Sequence, residues 1–150
     1  MLVYNVRIRW SPLVVSSAWT PKLAKIPVIS IIDDDESVRE ATKSLVRSLG
    51  YDATTFTSAE EYLRSDRARD SSCLITDVHM SGMTGADLQE RLIADGNRTP
   101  MIFMTAFSEE KIRSRVLAAG ALGFLSKPFD DERLIECLDK ALNDPKAGCS

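Results

Sequence analysis

The chain has 150 residues, of which 44% are hydrophobic and 27% are charged, and its formal net charge at pH 7 is -3. This length suits a single globular domain. No apolar run approaches the roughly 18 residues that a membrane-spanning helix requires, and the acidic balance argues against a nucleic-acid-binding module. The three cysteines show no metal-binding or CxxC spacing, so we expect Cys73 and Cys137 to be buried thiols of a cytoplasmic protein.

The first 26 residues differ in composition from the rest of the chain. They hold four basic residues, no acid and both tryptophans, so their net charge is +4. These residues are Arg7, Arg9, Lys22, Lys25, Trp10 and Trp19. We interpret residues 1–26 as an extension outside the domain, disordered by composition or the result of an early start codon; a signal peptide and an amphipathic anchor are the alternatives.

From Pro27 onward, short apolar runs alternate with amphipathic helical patterns. The predicted strands cover residues 28–32, 51–56, 73–76, 101–104 and 121–126. A helix is predicted after each strand, and the capping residues in chain order are Asp35, Ser58, Thr84, Ser108 and Asp130. Ser58 and Glu61 form a capping-box pattern, and the polar residues 65–72 predict a loop.

Five β-then-α units within roughly 120 residues predict an α/β fold. The strands are apolar on both faces, which indicates a parallel sheet that is covered by helices on both sides. Right-handed crossovers make this a doubly wound sheet, and five units fit the flavodoxin-like strand order 2-1-3-4-5. We expect residues 27–143 to form this domain and residues 144–150 to be a tail.

Polar side chains follow four of the five predicted strands. Asp33 and Asp34 follow the first, Asp77 the third, Thr105 the fourth and Lys127 the fifth. Ligands of such sheets bind at the carboxyl ends of the strands, so we expect these side chains to share one crevice. Carboxylates ~5 Å apart repel by about 3 kcal/mol at an effective dielectric near 20, which favours raised pKa values or a bound cation such as magnesium.

This set of groups is suited to phosphoryl transfer, which depends on positioning and on neutralising charge. Lys127 would supply a second positive charge, Thr105 a neutral hydrogen-bond donor, and a carboxylate the nucleophile that forms an aspartyl phosphate. The competing interpretation of the aspartates is a helix N-cap, which suits Asp35 better than its two predecessors. For His79, a solvent-facing loop position is favoured over a general base or a metal ligand.

Four motifs in this order resemble the receiver domains of two-component response regulators. They are IIDDDESVREATKSLVRSLGY, LITDVHMSGMTG, FMTAF and GFLSKPF, and the match runs from residue 27 to about residue 143. Within the family, the chain looks most similar to receivers of the nitrogen-fixation-regulator type, which usually carry a helix-turn-helix output domain. The resemblance implies a signalling switch rather than a turnover enzyme acting on an external substrate.

The resemblance implies a role for each polar residue at the strand ends. Asp77 would accept the phosphoryl group and would share a magnesium ion, or manganese as its substitute, with neighbouring oxygens. Asp34 would bind the metal directly, and Asp33 directly or through water. The backbone carbonyl of His79 would be a further metal ligand, and Lys127 would contact the phosphoryl group.

The resemblance also implies a two-state switch. Thr105 would swing toward the phosphoryl group, Phe124 would rotate inward, and the bond between Lys127 and Pro128 would be cis. The face of the fourth helix, fifth strand and fifth helix would then bind a target or a second copy of the chain. The implied upstream partner is a sensor histidine kinase or a phosphotransfer protein; the downstream target is not identified.

Some features depart from the family pattern. Ser81 stands where the family usually has proline, and residues 1–26 have no counterpart. Residues 144–150 are too few for an output domain, so we expect either a stand-alone receiver or a piece of a longer regulator.

Two other functions compete with the phosphorylation switch. One is a phosphorelay intermediate that passes the phosphoryl group to a histidine phosphotransfer protein. The other is a haloacid-dehalogenase-type hydrolase, which would need an aspartate at the position of His79.

Overall fold

A computed structural model describes residues 25–143; the predictions for residues 1–24 and 144–150 lie outside this range. The strands are β1 Val28–Ile32, β2 Asp52–Phe56, β3 Cys73–Asp77, β4 Met101–Thr105 and β5 Gly123–Ser126. The helices are α1 Glu36–Ser48, α2 Ala59–Arg64, α3 Gly85–Ala94, α4 Glu110–Ala118 and α5 Asp131–Asn143. The elements alternate along the chain as predicted.

The five strands form one parallel sheet with the spatial order β2-β1-β3-β4-β5, so the predicted order 2-1-3-4-5 is confirmed. The register pairs Ile31 with Ile75 and Thr76 with Phe103. All residues of β3 and β4 are buried, because these central strands have helices on both faces.

Two apolar clusters cover the two faces of the sheet. One contains side chains of α2, α3 and α4, among them Tyr62, Leu88 and Val116. The other contains side chains of α1 and α5, among them Val46 and Leu134. This placement leaves the carboxyl edge of the sheet to loops, and these loops carry the polar residues that the sequence singles out.

Four of the five capping predictions agree with the helix starts. Asp35 and Ser58 accept backbone hydrogen bonds at the starts of α1 and α2, Thr84 forms a capping box with Asp87, and Asp130 directly precedes α5. The prediction for Ser108 is wrong. Helix α4 is preceded by Glu109, which makes no capping bond, and the Ser108 hydroxyl lies 3.1 Å from the Ser126 hydroxyl instead.

Other local predictions need correction. Residues 65–72 contain a 3-10 helix at Asp66–Asp70 rather than only a loop. Cys73 and Cys137 are both buried, but Cys137 is disulfide-bonded, so the prediction of a thiol there is wrong. Among the described residues, none of the helices has the length and apolar character needed to cross a membrane.

Candidate functional site

The carboxyl edge of the sheet brings together two acids and one lysine from distant parts of the chain. Asp33 directly follows β1, Asp77 ends β3 and Lys127 directly follows β5. The Lys127 ammonium donates hydrogen bonds to the Oδ2 atoms of Asp33, at 2.9 Å, and of Asp77, at 3.1 Å. The prediction that these strand ends share one crevice is confirmed for these three residues.

Asp33 is held in place through its backbone as well as its side chain. The residue is fully buried, and its Oδ1 accepts a 2.9 Å hydrogen bond from the backbone N–H of Asp35. Its own N–H donates to the carbonyl of Phe56, and its carbonyl accepts a 2.8 Å hydrogen bond from the Arg39 guanidinium. Arg39 was not predicted as a site residue, because only its position one turn into α1 distinguishes it in the sequence.

Burial and charge act in opposite directions on the pKa values of Asp33 and Lys127. Burial raises the pKa of Asp33, although the Asp35 N–H and the Lys127 ammonium partly offset that rise. Burial alone would lower the pKa of Lys127, but its hydrogen bonds to Asp33 and Asp77 outweigh this effect and raise it. The lysine is therefore a permanent cation at neutral pH, placed between two buried carboxyl groups.

Three carboxylates at this edge fit a hard divalent cation. Oxygen atoms of Asp33, Asp34 and Asp77 all lie within 4.8 Å of one another. Asp33 and Asp77 are buried, whereas Asp34 is exposed at the mouth of the crevice. Magnesium prefers such oxygen ligands and retains waters on its open side, so this acidic pocket suits a magnesium ion.

Asp77 is positioned by close contacts of the loop that follows it. Its Oδ1 accepts a 3.2 Å hydrogen bond from the His79 N–H. At Gly85 the first turn of α3 comes so close that a Cβ atom would lie 2.4 Å from the Asp77 carbonyl oxygen and 3.2 Å from the Phe103 ring. Only glycine permits this approach, which fixes the start of α3 against the end of β3.

Glu60, which was not predicted from the sequence as a site residue, contacts the same loop. Its Oε2 accepts a 2.9 Å hydrogen bond from the Met83 N–H, and this bond is the main reason that the pKa of Glu60 is lowered. A Cβ atom at Gly82 would lie 2.7 Å from the same oxygen. This contact lies in the loop that contains Ser81, where the family usually has proline.

The His79 side chain contacts the loop after β4. Its Nε2 lies 3.2 Å from a carboxylate oxygen of Glu109, and its ring stands edge-on to the Phe107 ring at a centroid distance of 5.8 Å. The side chain is 40% exposed, as expected for a loop position. Neither Glu109 nor Phe107 was predicted as a site residue, because no local sequence pattern indicates contacts between two loops.

The hydroxyl of Thr105 bonds within its own turn. It donates to the carbonyl of Phe107 at 2.8 Å and accepts from the N–H of Phe107 at 3.0 Å. Phe124 is 7% exposed and belongs to the core cluster that contains Val116 of α4. The Lys127–Pro128 bond is cis, as the resemblance implies. Thr105 and Phe124 therefore lie at positions from which they contact α4 or its preceding loop.

Comparison with known proteins assigns this arrangement to a family. The response regulator receiver domain family matches residues 29–139. The chain is 39% identical over 115 residues to the response regulator protein TodT of Pseudomonas putida, covering 77% of this chain and 51% of TodT. It is 36% identical over 114 residues to the transcriptional regulatory protein FixJ of Azorhizobium caulinodans, covering 76% of this chain and 54% of FixJ.

A solved structure agrees with this match. The response regulator StyR superimposes with a TM-score of 0.73 at 37% identity, over 79% of this chain and 60% of that chain. The chain spans about half the length of the curated relatives it matches. It belongs to the response regulator receiver domain family of two-component systems.

Proposed function

We propose that Asp77 accepts a phosphoryl group from a sensor histidine kinase in a magnesium-dependent reaction. The observation that carries the proposal is the 3.1 Å contact of the Lys127 ammonium with Asp77, beside the carboxylates of Asp33 and Asp34. In the reaction, an Asp77 oxygen bonds to phosphorus while the bond from phosphorus to the kinase histidine nitrogen breaks. The bonding electron pair leaves on that nitrogen.

The crevice would favour a phosphoryl group because the Lys127 ammonium and a magnesium ion on the three carboxylates would together face its oxygens. Lys127 would move its hydrogen bond from Asp77 to an incoming phosphoryl oxygen while it keeps its contact with Asp33. Asp33, Asp34, Asp77 and the backbone carbonyl of His79 would hold magnesium. The ion would neutralise charge on the phosphoryl oxygens.

The phosphoryl group would also provide the switch. In this structure the Thr105 hydroxyl is hydrogen-bonded to the backbone of Phe107. A phosphoryl oxygen on Asp77 would be a charged acceptor for the same hydroxyl and would form a stronger hydrogen bond. When Thr105 leaves the turn, the space beside Phe124 changes and so does the start of α4. The switch would act on the face formed by α4, β5 and α5, which would bind a target or a second copy of the chain.

The broader role that we propose is that of a receiver in a transcription-regulating system of the nitrogen-fixation-regulator type. The similarity to FixJ, whose name describes a transcriptional regulatory protein, supports this. The identity to TodT, 39%, is higher than the identity to FixJ, 36%, so the proposal concerns a class of regulator rather than a particular physiological signal.

The experiment is to incubate the chain with magnesium and acetyl phosphate and to record its intact mass, beside the variant Asp77→Asn. We expect one added phosphoryl group on the unmodified chain, none on the variant and none when a chelator removes the metal. A second incubation with a phosphorylated histidine kinase domain tests the natural donor. Absence of a mass gain with every donor would reject Asp77 as the acceptor and would leave a receiver fold that binds without phosphorylation.

A further inference from the structure

A groove on the helix-covered face of α1 and α5 combines an apolar floor with an acidic rim. Its volume is about 360 Å³. The floor consists of Leu49, Tyr51 and Ile135, all half-buried, and the rim consists of Glu132, Glu136 and Asp139 on exposed positions of α5. This groove takes no part in the phosphorylation chemistry, because its residues lie outside the crevice at the strand ends.

The rim keeps most of its negative charge. Glu136 has a basic neighbour, Lys140, at 4.0 Å, where both side chains are solvent-exposed and the pair contributes little. Within residues 25–143, Glu132 and Asp139 form no salt bridge, and Asp139 only accepts a hydrogen bond from the Asn143 amide. A segment with basic and apolar side chains could therefore form ion pairs with the rim and apolar contacts with the floor.

The start of the described chain lies beside this groove. The Asp52 N–H donates a 3.1 Å hydrogen bond to the Pro27 carbonyl, and Val28 pairs with Asp52 in the sheet. Tyr51, which belongs to the groove floor, directly precedes Asp52. The first described residues therefore lie at the end of the groove that Tyr51 forms.

The composition of residues 1–24 is complementary to the groove. They include three basic residues, no acid and both tryptophans, of which Trp19 is closer in sequence to the first described residues. Six extended residues span at most about 20 Å, whereas α5 rises only about 10 Å from Glu132 to Asp139. Trp19 and Lys22 are thus both within reach of the apolar floor and the acidic rim.

We propose that residues 1–24 dock in this groove of the same chain, with Trp19 on the apolar floor and basic side chains on the acidic rim. The segment covers the groove between α1 and α5. It thereby stabilises the domain from a side that the phosphorylation site does not use. Tryptophan is suited to this role because it buries a large apolar area at low conformational cost.

The test uses tryptophan fluorescence, because Trp10 and Trp19 are the only tryptophans and both belong to the segment. We expect blue-shifted emission and weak acrylamide quenching in the full chain. The triple variant E132K/E136K/D139K should reduce the ratio of docked to undocked chain roughly tenfold, since three exposed attractions become repulsions. Its emission should move toward the position of the urea-unfolded chain, and 1 M salt, with a Debye length of ~3 Å, should move the wild type in the same direction.

A matched control reverses three exposed acids on the opposite face of the sheet, in the variant D66K/D70K/E90K. This control should keep the wild-type emission, and circular dichroism checks that both triple variants are folded. The variants Trp10→Phe and Trp19→Phe identify which tryptophan is buried, and we expect it to be Trp19. Emission like that of the unfolded chain in the wild type, or an equal shift in both triple variants, would overturn the proposal.

Dilution separates docking within one chain from docking between chains. Emission should stay constant over a range of protein concentrations in which the mass from light scattering is that of a monomer. A red shift on dilution that accompanies loss of a dimer would show that the segment occupies the groove of a second copy, which contradicts the proposal as stated. None of these outcomes depends on phosphorylation of Asp77.

Discussion

Lys127 and Asp33 are 94 positions apart in the sequence, and the Lys127 Nζ lies 2.9 Å from the Asp33 Oδ2. The same ammonium lies 3.1 Å from the Oδ2 of Asp77. One ammonium therefore bridges two carboxyl groups at the carboxyl ends of different strands and offsets part of the repulsion between them. A divalent cation among the same oxygens would perform part of this task, so the lysine and the metal are energetically coupled.

The variant Lys127→Met tests this coupling. In metal-free buffer, we expect its free energy of unfolding to be about 2–3 kcal/mol lower than that of the wild type, because the buried carboxyl groups lose their cationic partner. Magnesium should recover more stability in the variant than in the wild type, since it no longer competes with the ammonium. Urea unfolding with and without magnesium measures both effects.

The control for this measurement is Lys140→Met, which removes a lysine whose nearest acid is 4.0 Å away on the surface. Its free energy of unfolding should change by less than about 0.5 kcal/mol, and its response to magnesium should equal that of the wild type. If K127M and K140M are equally stable in metal-free buffer, the Lys127 ammonium does not stabilise the two carboxyl groups.

Gly85 should be intolerant of even a single methyl group. In Gly85→Ala the added Cβ would lie 2.4 Å from the Asp77 carbonyl oxygen, so the start of α3 has to move. We expect a loss of about 1–3 kcal/mol in the free energy of unfolding, the usual cost of overpacking. Phosphorylation from acetyl phosphate should also become slower, because the moved loop carries the His79 N–H that bonds Asp77.

The matched variant is Gly50→Ala, since a Cβ there meets no atom within 4 Å although its φ is +93°. This variant should lose about 1–2 kcal/mol from backbone strain alone and should keep the wild-type phosphorylation rate. Equal rates for G85A and G50A would show that the contact between α3 and β3 does not position Asp77.

The sequence predicts the fold and the charged centre of the site because both follow from local patterns. Each apolar run bounded by polar residues gives a strand, and parallel strands place their carboxyl ends at one edge. Asp33, Asp77 and Lys127 could therefore be assigned to one crevice from the sequence alone. The Thr105 position was predicted for the same reason, as the residue that ends β4.

The contacts between loops could not be predicted in this way. The pairing of His79 with Glu109 and of Glu60 with the Met83 N–H depends on where two loops lie relative to each other. The capping prediction for Ser108 is wrong for a related reason, because its hydroxyl contacts Ser126 of the neighbouring strand instead of the helix. Periodicity contains no information about such contacts across the sheet edge.

Cys73 gives a prediction about pH. Burial in the centre of the sheet raises the pKa of its thiol from the ordinary value of 9.0 to about 12. Only the thiolate reacts with alkylating reagents, so we expect iodoacetamide at pH 8 to leave Cys73 unmodified in the folded protein and to modify it after unfolding in urea. Peptide mass mapping measures the modified fraction at this residue.

The same shift affects stability at high pH. The Cys73 thiol binds its proton more tightly in the folded protein than in the unfolded chain. The stability that it contributes to the folded protein is therefore complete below pH 9 and is lost as pH rises toward 12. The variant Cys73→Ala should therefore lose stability less steeply above pH 9 than the wild type. Identical slopes in urea unfolding at pH 8 to 10.5 would argue against the raised pKa.

Thr105→Ala should separate phosphorylation from switching. The variant loses both hydrogen bonds to Phe107, at a cost of about 1 kcal/mol, but it keeps Asp77, Lys127 and the carboxylates. We expect acetyl phosphate to phosphorylate it at a rate within about tenfold of the wild type, which corresponds to ~1.4 kcal/mol in the barrier. The readout of the switch is the fluorine resonance of Phe124 in protein labelled with fluorophenylalanine.

Phosphorylation should shift the Phe124 resonance in the wild type and in Thr105→Ser, which keeps the hydroxyl, but not in Thr105→Ala. In the proposed switch, the hydroxyl exchanges the turn at Phe107 for a phosphoryl oxygen on Asp77, and Phe124 rotates inward when Thr105 moves. Thr105→Ala can carry the phosphoryl group on Asp77, but it lacks the hydroxyl that would change its hydrogen-bond partner. A full shift of the Phe124 resonance in phosphorylated T105A would mean that the start of α4 responds to the phosphoryl group by a route that does not use Thr105.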